Sequence, residues 1–237
     1  MPTAALKALI AQHWPATCVL CHQRCLDYSS TSLIECCLSC RLTLPLIDSR
    51  CRCCGVALEA DVALCNRCLM ATPAFHTCWP GFAYVAPIRA LVQRFKFQSD
   101  LAAGRVLASW LSQRLDDMSA PTPDCLVPVP LHWGRHLRRG FNQSEWLCHD
   151  LCRLHPSLRW QRLLKRPHRT HTQVSLASAQ RMTNLVGAFK VRRGQHMPSY
   201  VALVDDVMTT GATLHECARV LLNAGVSRVD VWVVARS

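Results

Sequence analysis

Hydrophobic positions near the carboxyl end of the chain fall into two short runs with a helical stripe between them. Residues 200–204 are continuously apolar, the pattern of a strand covered on both faces. Leu214, Cys217, Ala218, Leu221 and Leu222 then recur at helical spacing, and Asn-Ala-Gly at 223–225 stops that helix. Residues 229–235 read as a second apolar strand. A strand, a helix and a strand of these lengths suit a right-handed parallel crossover. Upstream, 81–85 reads as an edge strand, Pro87 opens a helix through Phe95, and 102–115 is a further helix. Val106, Leu107, Trp110 and Leu111 stand at core spacing within it. Residues 118–124 form a loop, 125–128 a strand running into Pro130, and Asn142 caps a helix that continues to Leu154. The pattern predicts an α/β fold, a parallel sheet flanked by helices.

Directly after the 200–204 run stand Asp205 and Asp206, then Val207, Met208, Thr209, Thr210, Gly211, Ala212 and Thr213. Two adjacent carboxylates at the end of a buried strand are costly, and make sense where neighbouring hydroxyls must be gripped. The turn that follows suits an oxyanion. Amides at a helix start have no intrahelical acceptor and carry the positive end of the dipole. Gly211 admits a ligand close to the main chain, while Thr209, Thr210 and Thr213 add hydroxyl donors. A diol grip beside a phosphate cradle describes a ribose 5-phosphate site at the carboxyl end of a sheet. An ordinary tight turn with a solvated acid pair is the plain alternative.

The amino-terminal part has a different texture. Cys18/Cys21, Cys37/Cys40, Cys51/Cys54 and Cys65/Cys68 are four Cys-x-x-Cys pairs. Two such pairs build a tetrahedral four-sulfur site, so eight thiolates provide for about two structural Zn2+ ions. Sequential pairing, first with second and third with fourth, closes the shorter loops at lower entropic cost. Disulfides, iron–sulfur ligation and plain buried thiols are the alternatives, and Cys36 and Cys53 adjoin proposed ligands. Cys125, Cys148, Cys152 and Cys217 stand apart in apolar patterns as core residues. Residues 73–80 read as a junction, dividing the chain into a double zinc module at 1–78 and a main domain at 79–237. Both sets of thiols suit a reducing cytoplasm.

Composition then narrows the choice. Half of the 237 residues are apolar, enough for a medium core and a small module. No apolar run approaches the roughly 18 residues of a membrane span, and residues 1–14 lack the apolar block of a secretory signal. The formal net charge is +12, and two filled four-thiolate zinc sites would leave +8. Residues 1–78 hold six Lys/Arg against five Asp/Glu, whereas 79–237 hold twenty-one against ten. That excess favours polyanions, either a sugar diphosphate or a nucleic-acid backbone. Arg135, His136, Arg138 and Arg139 form a strip suited to phosphate oxygens, although a solvated loop explains any one of them equally well. Lys96, between Phe95 and Phe97, is a phosphate or nucleic-acid contact or else a snorkelling surface lysine. Residues 165–181 are polar and basic, the pattern of a mobile loop.

The string at 201–213 resembles the 5-phosphoribosyl 1-pyrophosphate (PRPP) motif of type I phosphoribosyltransferases. Other segments are similar to the ComF/GntX branch of that fold, which carries a cysteine-rich amino terminus. They are Arg-Phe-Lys-Phe at 94–97, Val-Pro-Val-Pro-Leu at 127–131, Arg-Arg-Gly-Phe-Asn-Gln-Ser at 138–144, and Thr172, Gln173, Leu176, Arg181 and Asn184. The resemblance runs from Cys18 to Arg236. It implies that Asp205 and Asp206, the catalytic pair, bind the ribose hydroxyls, and that 207–213 wraps the 5′-phosphate. It places Val129, Pro130 and Leu131 at the pyrophosphate, Arg181 in a loop that closes over it, and Mg2+ with the PRPP.

The same resemblance implies a cytoplasmic protein handling imported DNA, in natural transformation or in use of DNA as nutrient. Lys96, Arg135, Arg138 and Arg139 would contact single-stranded DNA, its bases stacking on Phe95, Phe97, Trp133 and Phe141. Other DNA-uptake proteins are expected partners of the zinc module. An active phosphoribosyltransferase with an unidentified acceptor and a non-catalytic PRPP-sensing adaptor are the competing expectations. No residue marks a nucleophile for C1, and residue 2 is Pro, so an amino-terminal Cys glutaminase is not expected.

Overall fold

A computed structural model describes residues 17–24, 36–59, 62–131, 140–167 and 187–237. The chain divides into two compact units, Met1–Pro45 and Leu46–Ser237. That division precedes the 78/79 junction expected from composition, because the second pair of Cys-x-x-Cys knuckles packs into the core of the larger unit. Cys51, Cys54, Cys68 and Phe75 share one buried cluster with Val201, Leu203 and Val231. In the smaller unit a tight turn after Cys18 and the short helix α1 (Leu38–Leu42) carry four cysteines.

The larger unit runs α2 (Asn66–Met70), β1 (Cys78–Ala83), α3 (Ile88–Phe97), α4 (Leu101–Asp117), β2 (Cys125–Pro128) and α5 (Gln143–Leu154). It continues through β3 (Leu164–Lys165), β4 (Lys190–Val191), β5 (Tyr200–Met208), α6 (Ala212–Leu222) and β6 (Arg228–Arg236). Four strands form one parallel sheet in the order β1-β6-β5-β2. Its two central strands are apolar on both faces, as a sheet covered by helices on each side requires. Val201, Leu203, Val229, Val231 and Val233 join Leu214, Cys217, Ala218 and Leu221 of α6 in one buried cluster. Alternation along each strand sends the intervening side chains to the opposite face. Helices α3, α4 and α5 pack closely on one another. A Cβ on Gly104 of α4 would lie 2.6 Å from the Phe95 ring of α3, so only glycine permits that approach.

Strand β5 is longer than its apolar run suggests. Its pairing continues through Asp205↔Val233 to Met208↔Arg236, since β6 offers ladder partners to its own last residues. The acids therefore sit on the sheet and not beyond it. The two-stranded ladder of β3 and β4 pairs Lys165 with Lys190, and Arg166 lies over the Phe189 ring at 5.2 Å. The loop expected to begin at Lys165 thus has its first two residues held in place. Residues 168–181, including Thr172, Gln173 and Arg181, lie outside the described residues. Among the described residues no helix is long and apolar enough to cross a membrane.

At the end of the sheet remote from the acids, Asp230 is fully buried and accepts from Trp79 Nε1 at 3.0 Å and Tyr200 Oη at 2.9 Å. Arg228 adds a two-pronged bond to it at 3.1 and 3.0 Å. Removing one partner of such a group strands the others. Asp230→Ala is expected to lower unfolding free energy by about 3 kcal/mol, measured by chemical denaturation. An unchanged midpoint would contradict a structural role for this cluster.

Candidate functional site

Strands β2 and β5 pair in parallel, with Pro128 opposite Val204, so their carboxyl ends bring residues 129–131 beside Asp205 and Asp206. The acids are held by neighbours on three elements. Asp205 Oδ1 accepts from Ser144 Oγ at the start of α5 at 3.0 Å, and from the Asp206 amide at 2.9 Å. Asp206 Oδ1 accepts from the Val207 amide at 2.6 Å and pairs with Lys96 Nζ of α3 at 2.9 Å. Burial, then the adjacent Asp206 charge, pushes the Asp205 carboxyl up to about 7; Lys96, the amide and Ser144 pull the other way. One carboxylate has a lysine partner, and its neighbour, Asp205, has its ionisation raised toward neutral pH.

Beyond the acids the chain turns through Thr209, Thr210 and Gly211 into α6. Gly211 adopts φ of +77°, a left-handed conformation that favours glycine, and the Met208 methyl packs against the space a Cβ would take. His215 is where intrahelical bonding begins, its amide reaching Gly211 O at 2.8 Å. The amides of Thr213 and Leu214 precede any intrahelical acceptor. That of Ala212 makes a long contact of 3.4 Å to Thr210 Oγ1. A cleft of about 50 Å3 is lined by Asp205 and by 207–214, so one acid and the helix-start amides open onto one space, while Asp206 faces Lys96. Chemically, this is a hydroxyl-accepting edge next to an anion-accepting one.

Several expected residues take other roles. Val129 spends its amide on Val204 O at 3.1 Å, and its carbonyl accepts from Asn142 Nδ2 at 3.2 Å. It is therefore a continuation of the sheet and offers no amide to a diphosphate, and Pro130 has none to offer. Among the described residues the Leu131 amide has no backbone partner, which makes it the candidate of the three for that role. Lys96 pairs with Asp206 at 2.9 Å, an internal partner that the expected phosphate or nucleic-acid contact does not include. Phe95 is fully buried against Phe141 and Trp146, with ring centroids 5.4 Å apart in each case, and cannot stack on bases. Phe97 remains 62% exposed. Arg135, Arg138, Arg139, Trp133 and Arg181 lie outside the described residues.

The cysteines come together in two sets, Cys18, Cys21, Cys37, Cys40 and Cys51, Cys54, Cys65, Cys68, with sulfurs within 4.8 Å of one another. Cys36 and Cys53 stand outside both. Cys21 and Cys37 sulfurs are 3.8 Å apart, and Cys54 and Cys65 sulfurs 3.7 Å. Tetrahedral Zn–S bonds of about 2.3 Å place sulfurs about 3.8 Å apart, whereas a disulfide needs about 2.05 Å. The geometry fits a metal and not a disulfide. Burial resists ionisation of Cys51, yet amides near Cys54, Cys65 and Cys53 hold its thiol down at about 6. Cys18 is held down in the same way. Burial and the neighbouring thiols push Cys68 up. Four clustered thiols resist full ionisation alone, and a divalent cation supplies the missing charge. Two structural metal ions such as zinc can be held here.

No family model matches the chain. It is 35% identical over 190 residues to competence protein F of Haemophilus influenzae, covering 78% of this chain and 83% of that protein. It is also 35% identical over 193 residues to DNA utilization protein YhgH of Escherichia coli K12, covering 78% and 82%. The chain belongs to the ComF/YhgH family. Competence protein ComFC of Streptococcus pneumoniae is a more distant relative, 26% identical over 190 residues, with 80% and 76% covered. Solved structures similar in part include glutamine PRPP amidotransferase of Bacillus subtilis, 20% identical over 55% of this chain and 26% of that one, TM-score 0.38. A hypoxanthine phosphoribosyltransferase of Trypanosoma cruzi is 14% identical over 56% and 73%, TM-score 0.34. Scores this low decide nothing about the site.

Two residues of this ComF-family site escape a reading by pattern. Ser144 lies in a stretch that carries the family resemblance and opens a helix, where the pattern assigns it no role of its own, yet it bonds Asp205. Arg236 is just 7% exposed at the end of β6, and donates to Met208 O and Thr209 O beneath the phosphate-type turn. A lone cation closing an apolar strand is the available signal, because burial there demands fixed partners. For the cysteine sets, metal analysis is expected to find about two zinc ions per chain, released by chelation with loss of structure in their knuckles. Reduced protein without metal, or with iron and visible absorbance, would contradict this.

Proposed function

We propose that this ComF-family chain binds PRPP or a closely related phosphorylated ribose, in the cytoplasmic handling of imported DNA. The observation that carries the reading is the meeting of Asp205 with the helix-start amides of α6 around one cleft, with Asp206 beside it in the chain and paired to Lys96. Carboxylates accept from the 2′- and 3′-hydroxyls, while the amides of Thr213 and Leu214 and the hydroxyls of Thr209, Thr210 and Thr213 receive the 5′-phosphate. Lys96 pairs with Asp206 at 2.9 Å and holds it in place before the sugar arrives. Mg2+, brought on the diphosphate, would share these carboxylates and neutralise the leaving group's charge. The names of the relatives, competence protein F and DNA utilization protein YhgH, support a role in DNA handling. The basic excess over 79–237 supports contact with a single strand through its phosphates.

Calorimetry with ribose 5-phosphate, 2-deoxyribose 5-phosphate and Mg2+–PRPP tests the sugar site. The deoxy sugar is expected to bind about tenfold more weakly, since it leaves a buried carboxylate unmatched, and Asp205→Asn/Asp206→Asn by at least about tenfold. Equal affinity for the two sugars would remove the diol grip. An ionised Asp205 is the better acceptor, and its carboxyl sits at about 7, so affinity is expected to rise as pH increases through that value. Lys96→Met, which removes a charge that favours ionisation, should move the midpoint upward. Gel shifts with single-stranded DNA should show binding at low salt that fades as salt is raised. No shift at low salt would rule out direct DNA contact.

A further inference from the structure

The second cysteine set lies close to the candidate phosphate turn, and the two are joined by bonds that neither the metal nor the sugar requires. Arg236 is the first link. Its Nε donates to Cys54 O at 3.0 Å, while its Nη1 donates to Thr209 O at 2.6 Å and Met208 O at 3.2 Å. One buried guanidinium thus ties the metal knuckle to the entry of the turn. A planar fork with fixed donors can hold three carbonyls at set positions, which an ammonium on a flexible stem cannot.

Further links reinforce it. Cys53 O accepts from the Cys78 amide at 2.8 Å, and Cys78 Sγ lies 3.6 Å from Met208 Sδ. Met208 in turn fills the space behind Gly211. On the exit side of the turn, the Ala74 amide donates to His215 Nδ1 at 3.1 Å, fastening the chain that follows α2 to the first turn of α6. Between these ties lies a cavity of about 100 Å3, lined by Cys54 and Cys68 on one side and Thr210, Gly211 and His215 on the other. The turn is held at both ends by the segment that carries Cys51, Cys54, Cys65 and Cys68.

We propose that Arg236 is a positioning residue through which metal at the Cys51/Cys54/Cys65/Cys68 centre sets the geometry of the 208–213 turn. Metal occupancy at that centre, and not at the Cys18/Cys21/Cys37/Cys40 centre, then governs how well the turn accepts a phosphate. Linkage is reciprocal, so a phosphosugar in the turn must also be felt at the thiolates. The affinity part of this inference rests on the phosphosugar reading given above; the mechanical part does not.

The test uses the full chain as wild type, Arg236→Lys, Cys65→Ser/Cys68→Ser and Cys18→Ser/Cys21→Ser. Amide exchange is followed by NMR at His215 and Ser237, whose amides bond Gly211 O and Met208 O. Arg236→Lys is expected to retain both metal ions and its far-ultraviolet spectrum, yet to exchange at these two amides about tenfold faster. Cys65→Ser/Cys68→Ser should do the same with one metal fewer, and Cys18→Ser/Cys21→Ser should lose one metal with no change at either amide. Unchanged exchange in Arg236→Lys overturns the proposal even if the cysteine variant fails to fold.

A spectroscopic arm separates positioning from plain stability. In the Cys18→Ser/Cys21→Ser chain loaded with Co2+, PRPP is expected to shift the thiolate-to-cobalt absorption, and the shift should vanish when Arg236→Lys is added. Retention of the full shift in that combined variant would contradict coupling through Arg236. If wild type binds no PRPP while the exchange results hold, the phosphosugar reading fails and the mechanical coupling stands.

Discussion

Everything at this site depends on keeping two adjacent carboxylates at the end of a strand that is otherwise apolar. Removing charge from water is costly, and two like charges side by side are worse. The cost is offset locally. Lys96 pairs with Asp206, Ser144 and the Asp206 amide bond Asp205, and the Val207 amide bonds Asp206. These partners come from α3, α5 and β5 itself, so the helices over the sheet are also what permits the acids to exist there. Even so, burial leaves Asp205 well above its ordinary value. Hydroxyl donors from a ligand would relieve such a pair, which is the basis of the sugar grip proposed for it.

Much of this is legible in the chain. The run at 200–204, the helical spacing of Leu214 to Leu222 and the glycine after them correspond to β5, α6 and the turn into β6. The Cys-x-x-Cys spacing likewise corresponds to two sets of converging sulfurs. What escapes is long-range. Lys96 between two phenylalanines looks like a surface contact, since nothing local says that α3 ends against Asp206. Phe95 looks available for stacking because adjacent aromatics carry no mark of which one is buried. Val129 looks like a phosphate donor until β2 and β5 are paired, when its amide turns out to be committed to Val204 O. Periodicity reports which face is covered, and pairing across the sheet decides which donors remain.

The placement of the second cysteine set has the same origin. By composition, residues before 78 form one module. By packing, Cys51 to Cys68 belong with the sheet, because Arg236, at the far end of the chain, has its buried charge satisfied by Cys54 O and by carbonyls of the turn. Sequence distance hides such a link entirely. It gives the metal centre a place in the architecture of the site as well as in the stability of its own knuckle.

The most direct measurement is a crystal structure with ribose 5-phosphate. The expected result has the phosphate on the amides of Thr213 and Leu214, with the 2′- and 3′-hydroxyls donating to Asp205 and Asp206. Phosphate bound elsewhere, with Lys96 still on Asp206 and the turn vacant at saturating sugar, would contradict it.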